Sequence, residues 1–481
     1  MNVSLKRLLA LLLVAVMALS AVACAAGPET SETQPSGDTG AGTEDETSYK
    51  PNIPEANYNT EFNFMNYSSI LDHELFLVDE SQRGDPMSDA VYERALVIKD
   101  QLGVTMVRLE AGDWKSYAAA VLRTVQSGDD AYQLVMTHGT TGAGTLVTAN
   151  ALYNYSDFED VNLEAPYWNQ SIMSQAMIGD RYLLGYGDFS LSHVHCLIFN
   201  KDMMDEYGIT ASYDLVDNQQ WTLDRFIAMA ATVSKDNGDG KWDDQDTYGL
   251  TGWCGTYMTS FLVAGGLNVI EKDESDDSYY LAYSKNIEKL SDMTDKLIAL
   301  GNSNYAYLEG IGVNEKVDFS NGTSLFQFYD AADLAILRDS SVRFGVLPFP
   351  KWNDAQDDYR CLSMNGMMCI PSSIKDPTMV GRVMELLNYH TAKVKVAFYE
   401  DLLGSKLAEA PDDARMLDVI WDHQVFEPAL IAYDAGTTIS DAFYFMSNQV
   451  KANKNTVSSS VSRMARGINK ILEKFFNADP A

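Results

Sequence analysis

Basic residues are scarce in this 481-residue chain. Lys and Arg number 35 against 68 Asp and Glu, a formal charge of −33. A surface of that sign repels phosphate backbones and anionic headgroups, so neither nucleic acid nor anionic lipid is expected as a partner. Cysteine is scarcer still, at five residues, far too few for a disulfide scaffold. Cys196, Cys254, Cys361 and Cys369 read mostly as small buried residues, with Cys361 and Cys369 the one candidate bridge. Beyond Ala23 no run of 18 apolar residues occurs, so no later membrane span is expected.

The usual catalytic signatures are missing too. There is no G-x-S-x-G, H-E-x-x-H, G-x-x-x-x-G-K-[ST] or G-x-G-x-x-G. His193 and His195 would share a strand face, but no third metal ligand stands at a known position, so a pair of strand histidines is the favoured reading. Asp129-Asp130 and Asp357-Asp358 are neighbours whose side chains diverge, unlike a glycosidase pair facing one bond. No enzyme, cofactor or metal is expected.

The N-terminus carries the clearest positive signal. MNVSLKR holds two basic residues, Leu8 to Ala23 is free of charge, and Ala21-Val22-Ala23 fits a secretory cleavage site. Residues 1–23 read as a signal peptide. Residues 25–48 contain no Lys, Arg, aromatic or large aliphatic residue and cannot bury enough surface to fold. Residues 24–57 are therefore expected to be an acidic linker, and the remainder is too long for one core but suits two lobes.

Along that remainder, EFNFMNY (61–67), VTMVRLE and YQLVMTH (132–138) read as strands alternating with two amphipathic helices. Asp113 is expected to cap the second helix. This β-α-β-α-β order implies an open parallel α/β sheet. A second block of similar texture follows from GDRYLLGYGD, and the tail from Asp376 reads as almost wholly helical. The acidic stretch KDNGDGKWDDQDTYG (235–249) approximates a calcium loop, with Gly240 at the turn and Asp246 twelfth. Lys235 then falls on the first ligand position, so an acidic turn without calcium is expected.

Cys24 directly after small residues resembles the lipobox of bacterial lipoproteins, which implies lipidation at Cys24. Taken in order, the lipobox, the acidic linker, LIFNKDMMDEYGI, WTLDRFIAMAATVSKDNGDGKWDDQDTYGL and FGVLPFPKWN resemble the extracellular solute-binding proteins of bacterial ABC importers, family 1, chiefly carbohydrate binders. VAFYEDLLGSKLAEAPDDARMLDVIWDHQVF is similar to a stretch common in such lipoproteins. The resemblance implies a two-lobe α/β fold of the periplasmic-binding-protein type II, with ligand in the cleft. It places lobe 1 at 58–190 and 328–372 and lobe 2 at 195–325 and 373–481. Crossings are implied near Gly187 to His195 and Leu325 to Tyr329. It further implies a monomer at the extracytoplasmic face of the membrane, partnered by ABC permease subunits.

In such sheets ligands bind beyond the carboxyl ends of strands. The candidates there are Tyr67, Ser68, Trp114, His138, Asp188, Trp253, Tyr329, Asp330 and Asn365. A sugar needs an aromatic platform together with carboxylate and amide partners, and this set supplies both. Tyr117, on a helix face, reads as core. Two alternatives remain open: an extracellular carbohydrate hydrolase, and a binder of the same fold for a non-sugar solute.

Overall fold

Phe62 and Phe64 alternate along β1 (Thr60–Asn66) and are both fully buried, as a period of two requires of a covered sheet face. The computed structural model to which they belong describes residues 49–66, 76–190, 193–209, 213–273, 275–276, 278–311, 316–364, 366–405 and 411–476. β1 pairs in parallel with β2 (Val104–Glu110) and with β3 (Leu134–Met136). Helix α1 (Pro86–Leu102) makes the first crossover. Asp85 caps it by accepting from Ser88 N, and Gly103, at φ 66°, ends it in the left-handed conformation. Helix α2 (Tyr117–Ser127) makes the second, starting later than its sequence pattern suggests. Ser116 stands at its N-cap, while Asp113 accepts from Ser116 N at 3.0 Å within the preceding turn.

The second sheet is mixed. Its order is β11-β4-β10-β6-β5, with β9 beside β6. The strands are β4 (His195–Asn200), β5 (Ser234–Lys235), β6 (Thr247–Trp253), β9 (Ala306–Glu309), β10 (Ser324–Asp330) and β11 (Phe344–Leu347). A hairpin of β7 (Ile270–Lys272) and β8 (Tyr279–Leu281) stands apart from it. β6 runs parallel to both β9 and β10, whereas β4 is antiparallel to β10 and β11. All six residues of β4 are buried, the signature of a strand covered on both faces.

Strand pairing redraws the expected lobe limits. β10 and β11 both pair with β4, so residues 328–330 and 344–347 sit in the second sheet rather than with lobe 1. The chain returns to the first sheet only at β13 (Met368–Cys369), which pairs with β3. Just before it, β12 (Cys361–Leu362) still pairs with β14 (Gln424–Val425). Helix α3 (Pro377–Ser405) then packs on α1, against the expectation that 373–481 belongs wholly to lobe 2. Helix α4 (Pro411–Asp422) packs on β11, back on the second sheet.

Two chain segments run side by side between the sheets. Gly185 and Met368 exchange backbone bonds of 2.8 and 2.9 Å, and Met364 N donates to His193 O at 2.7 Å. Residues 185–190 and 193–195 make up one of these segments, in the stretch where a crossing is expected at Gly187 to His195. Its partners are 363–364 and 366–368, not Leu325 to Tyr329, because β10 passes unbroken through that stretch with partners on both sides. The cysteines divide the same way: Cys361 lies in β12 and Cys369 in β13, and both are buried free thiols, which removes the candidate bridge. Among the described residues no helix is long and apolar enough to cross a membrane.

Candidate functional site

The carboxyl ends of β6, β9 and β10 lie at one edge of the second sheet, because these strands run parallel. That edge opens on a cavity of about 520 Å³ lined in part by Trp253, Tyr257, Glu309, Tyr329, Asp330 and Asp333. Three of the sequence-predicted residues, Trp253, Tyr329 and Asp330, thus meet in one place. Trp253 ends β6 with 40% of its surface exposed, so its ring is open to contact from solvent. Burial, with Asp333 nearby, raises the Tyr329 phenol, so it stays a neutral hydrogen-bond donor at physiological pH.

Asp330 is 8% exposed and lies 3.3 Å from His193 Nδ1. It also caps the next turn by accepting from Ala332 N at 3.2 Å. His195 stands opposite Asp330 in the strand register, but its ring has other partners. It packs on Tyr257 with centroids 4.2 Å apart, and its Nδ1 is 2.7 Å from Ser260 Oγ. Burial pushes the His195 pKa down to about 4, so the ring is neutral. The two histidines therefore serve different partners. Among the described residues no group of three or more His, Cys, Asp or Glu is placed to hold a metal.

The carboxyl ends of the first sheet carry the other predicted rings. Trp114 is 40% exposed, with its indole 5.2 Å from the His138 ring at 32°. Lys115 Nζ stands 4.6 Å over the same indole. Fully buried Tyr117 organises the loop beneath, as a core residue: its hydroxyl donates to Thr141 O at 2.5 Å and accepts from His138 N at 3.0 Å. Asp188 is placed differently. It does not line the cavity by Trp253, and Lys395 Nζ binds its carboxylate at 2.9 Å. Burial raises its pKa and the Lys395 charge opposes that rise. Tyr67, Ser68, Asn365 and Cys24 lie outside the described residues.

Sequence reasoning missed Tyr257, Glu309 and Asp333. Glu309 closes β9, a strand the sequence pattern did not reveal, while Tyr257 sits one residue into a helix, Thr256–Ala264, that begins just after Trp253. It missed Asn66 as well. This residue ends β1, is fully buried, and among the described residues finds no hydrogen-bond partner for either side-chain amide atom. A larger hollow of about 1040 Å³ opens at the amino ends of β1 and β2, among Asn57, Glu61, Lys99 and Asp130. It is at the wrong end of the strands for the ligand site of an open α/β sheet.

The acidic stretch is closed on itself. Asp246 is fully buried and accepts from Asn237 N and Asp243 N, each at 2.8 Å, while Asp236 accepts from Gly238 N at 2.8 Å. Lys235 is tied into β5, opposite Thr247.

Residues 97–404 match the model of a family described as bacterial extracellular solute-binding protein. The chain belongs to that family. Its members are extracellular solute-binding proteins, and the fold is their two-lobe α/β fold. Among solved structures, the ABC substrate-binding protein Lmo0181 of Listeria monocytogenes, in complex with cycloalternan, aligns with a TM-score of 0.56 at 12% identity, over 85% of this chain and 98% of that one. The GacH receptor of Streptomyces glaucescens, solved unliganded and with acarbose, aligns at 0.56 and 13% identity over 86% and 98%. Maltose-bound MalE3 of T. maritima aligns at 0.57 and 12% identity over 86% and 100%. At such identities the solved structures show the fold alone. No curated protein sequence matches the chain.

Proposed function

We propose that this solute-binding protein captures a sugar or oligosaccharide between its lobes and delivers it, unaltered, to the permease subunits of an ABC transporter. Cys24 carries the lipid that holds it at the extracytoplasmic face of the membrane, and it acts as a monomer. The observation that carries this reading is the meeting of an exposed indole, a neutral phenol and carboxylates at the strand ends by Trp253. Sugars present C–H faces that stack on flat rings and hydroxyls that donate to carboxylates. Cycloalternan, acarbose and maltose in the similar structures are all carbohydrates, which favours the same ligand class.

The test is a thermal-shift screen of the chain against mono- and oligosaccharides, amino acids, peptides and polyols. A ligand at a hundred times its Kd adds about 2.7 kcal/mol to stability, which is easily read as a rise in melting temperature. A rise with a sugar supports the proposal. A rise confined to another class would keep the binding role and replace the ligand.

A further inference from the structure

We propose that Asp434 is the pin that sets the opening between the two lobes. It lies in the turn Tyr433–Ala435, in the tail segment that follows β14. That segment is fastened to the second lobe. Val269 N and Ile270 N donate to the Glu427 carboxylate at 2.8 and 3.1 Å, and Thr259 Oγ1 donates to Phe443 O at 2.6 Å.

The Asp434 carboxylate points the other way, into the first lobe. Gly142 N donates to Oδ2 at 2.8 Å, Thr145 N to Oδ1 at 3.1 Å, and Thr145 Oγ1 to Oδ2 at 2.7 Å. These groups open the short helix Ala143–Thr148, whose own N-cap, Gly142, has no side chain to satisfy its free amides. The cap comes instead from a residue nearly three hundred positions later. A Cβ at Gly144 would run into the Asp434 carboxylate and Ile431 O, so the loop sequence GTTGAGT suits the close approach.

The pin also stands between the exposed indoles of Trp253 and Trp114. On one side Tyr433 packs edge-on to Tyr444, and Tyr444 packs edge-on to Trp253. On the other side Thr141, next to Gly142, donates its hydroxyl to Trp114 O at 2.5 Å. The Asp434 bonds tie the two lobes to each other directly and so hold them at one separation. An equilibrium between open and closed forms shifts by the free energy that favours one of them, so removing the charge of the acceptor, or one of its three bonds, should release the other.

The inference rests on the binding role only for its consequence, and its test needs no ligand. Spin labels are placed at Ser127→Cys in the first lobe and Lys241→Cys in the second, with Cys24→Ser to leave the buried cysteines as the only other thiols. Distance distributions are then compared in the ligand-free chain. Asp434→Asn and Thr145→Val should each shift or broaden the distribution, while Thr145→Ser, which keeps the hydroxyl, should match the parent. An unchanged distribution in Asp434→Asn would overturn the proposal whatever happens to its melting temperature. If that variant fails to fold, Thr145→Val decides by the same criterion. A chain that binds no sugar would still give either answer.

Discussion

The indole of Trp253 stands edge-on to the ring of Tyr444, with centroids 6.4 Å apart and planes at 66°. One side of Trp253 is thus held by the tail while 40% of its surface stays exposed. Replacing Trp253 by Ala should weaken sugar binding roughly ten- to hundredfold, the loss expected from an aromatic contact of about 1.5 to 3 kcal/mol. Its melting temperature should change little. Trp114→Ala should act in the same direction, because that indole is equally exposed. Calorimetric titration beside melting curves checks both, and intact affinity with a large stability loss would reassign the rings to packing.

Glu427 provides a pH test. Burial pushes its pKa up to about 7, against the pull of the backbone donors from Ala429, Val269 and Ile270. A raised pKa means the folded state holds the proton more tightly. Its contribution to stability is complete below about pH 4.5 and is lost as pH rises through about 7. Comparing the parent with Glu427→Gln by denaturant unfolding, the stability difference should shrink on the order of 3 kcal/mol between about pH 4 and pH 8. A difference independent of pH would contradict this.

Calcium should not matter to the fold. Asp236 and Asp246 already accept backbone amides, and Lys235 is committed to a strand. Adding a chelator should leave the melting temperature where it was; a drop of several degrees that calcium alone restores would show a site in the loop.

Lipidation is expected at Cys24, which follows Ala21-Val22-Ala23 and precedes the acidic leader. Cells fed a fatty-acid analogue should label the parent chain and not Cys24→Ser. Equal labelling of both, or of neither, would remove the anchor.

Local pattern carried much of the architecture. The alternation of Phe62 and Phe64, Asp85 before Pro86, and Gly103 after Leu102 each act within a few residues, so the opening β-α-β unit was legible in the sequence. What failed was pairing over distance. VRFGVLPFP has the texture of a first-lobe strand, yet it pairs antiparallel with β4, far earlier in the chain. No local signal distinguishes those partners, and the misplaced lobe boundaries followed from that. The site divides similarly. Trp253, Tyr329 and Asp330 were readable as strand ends, but Asp188 was not, because its partner Lys395 comes from a helix expected in the other lobe. Asp434 gave no sequence signal at all: an aspartate in a turn looks the same whether it faces water or caps a distant helix.

The most direct measurement is a calorimetric titration of the chain with maltose and longer oligosaccharides, followed by chromatography of the recovered sugar. Saturable binding of at least one sugar, recovered intact after prolonged incubation, is the expected result. A sugar recovered as hydrolysis products would make the chain an enzyme. Binding absent for every sugar but present for another solute would contradict the carbohydrate assignment.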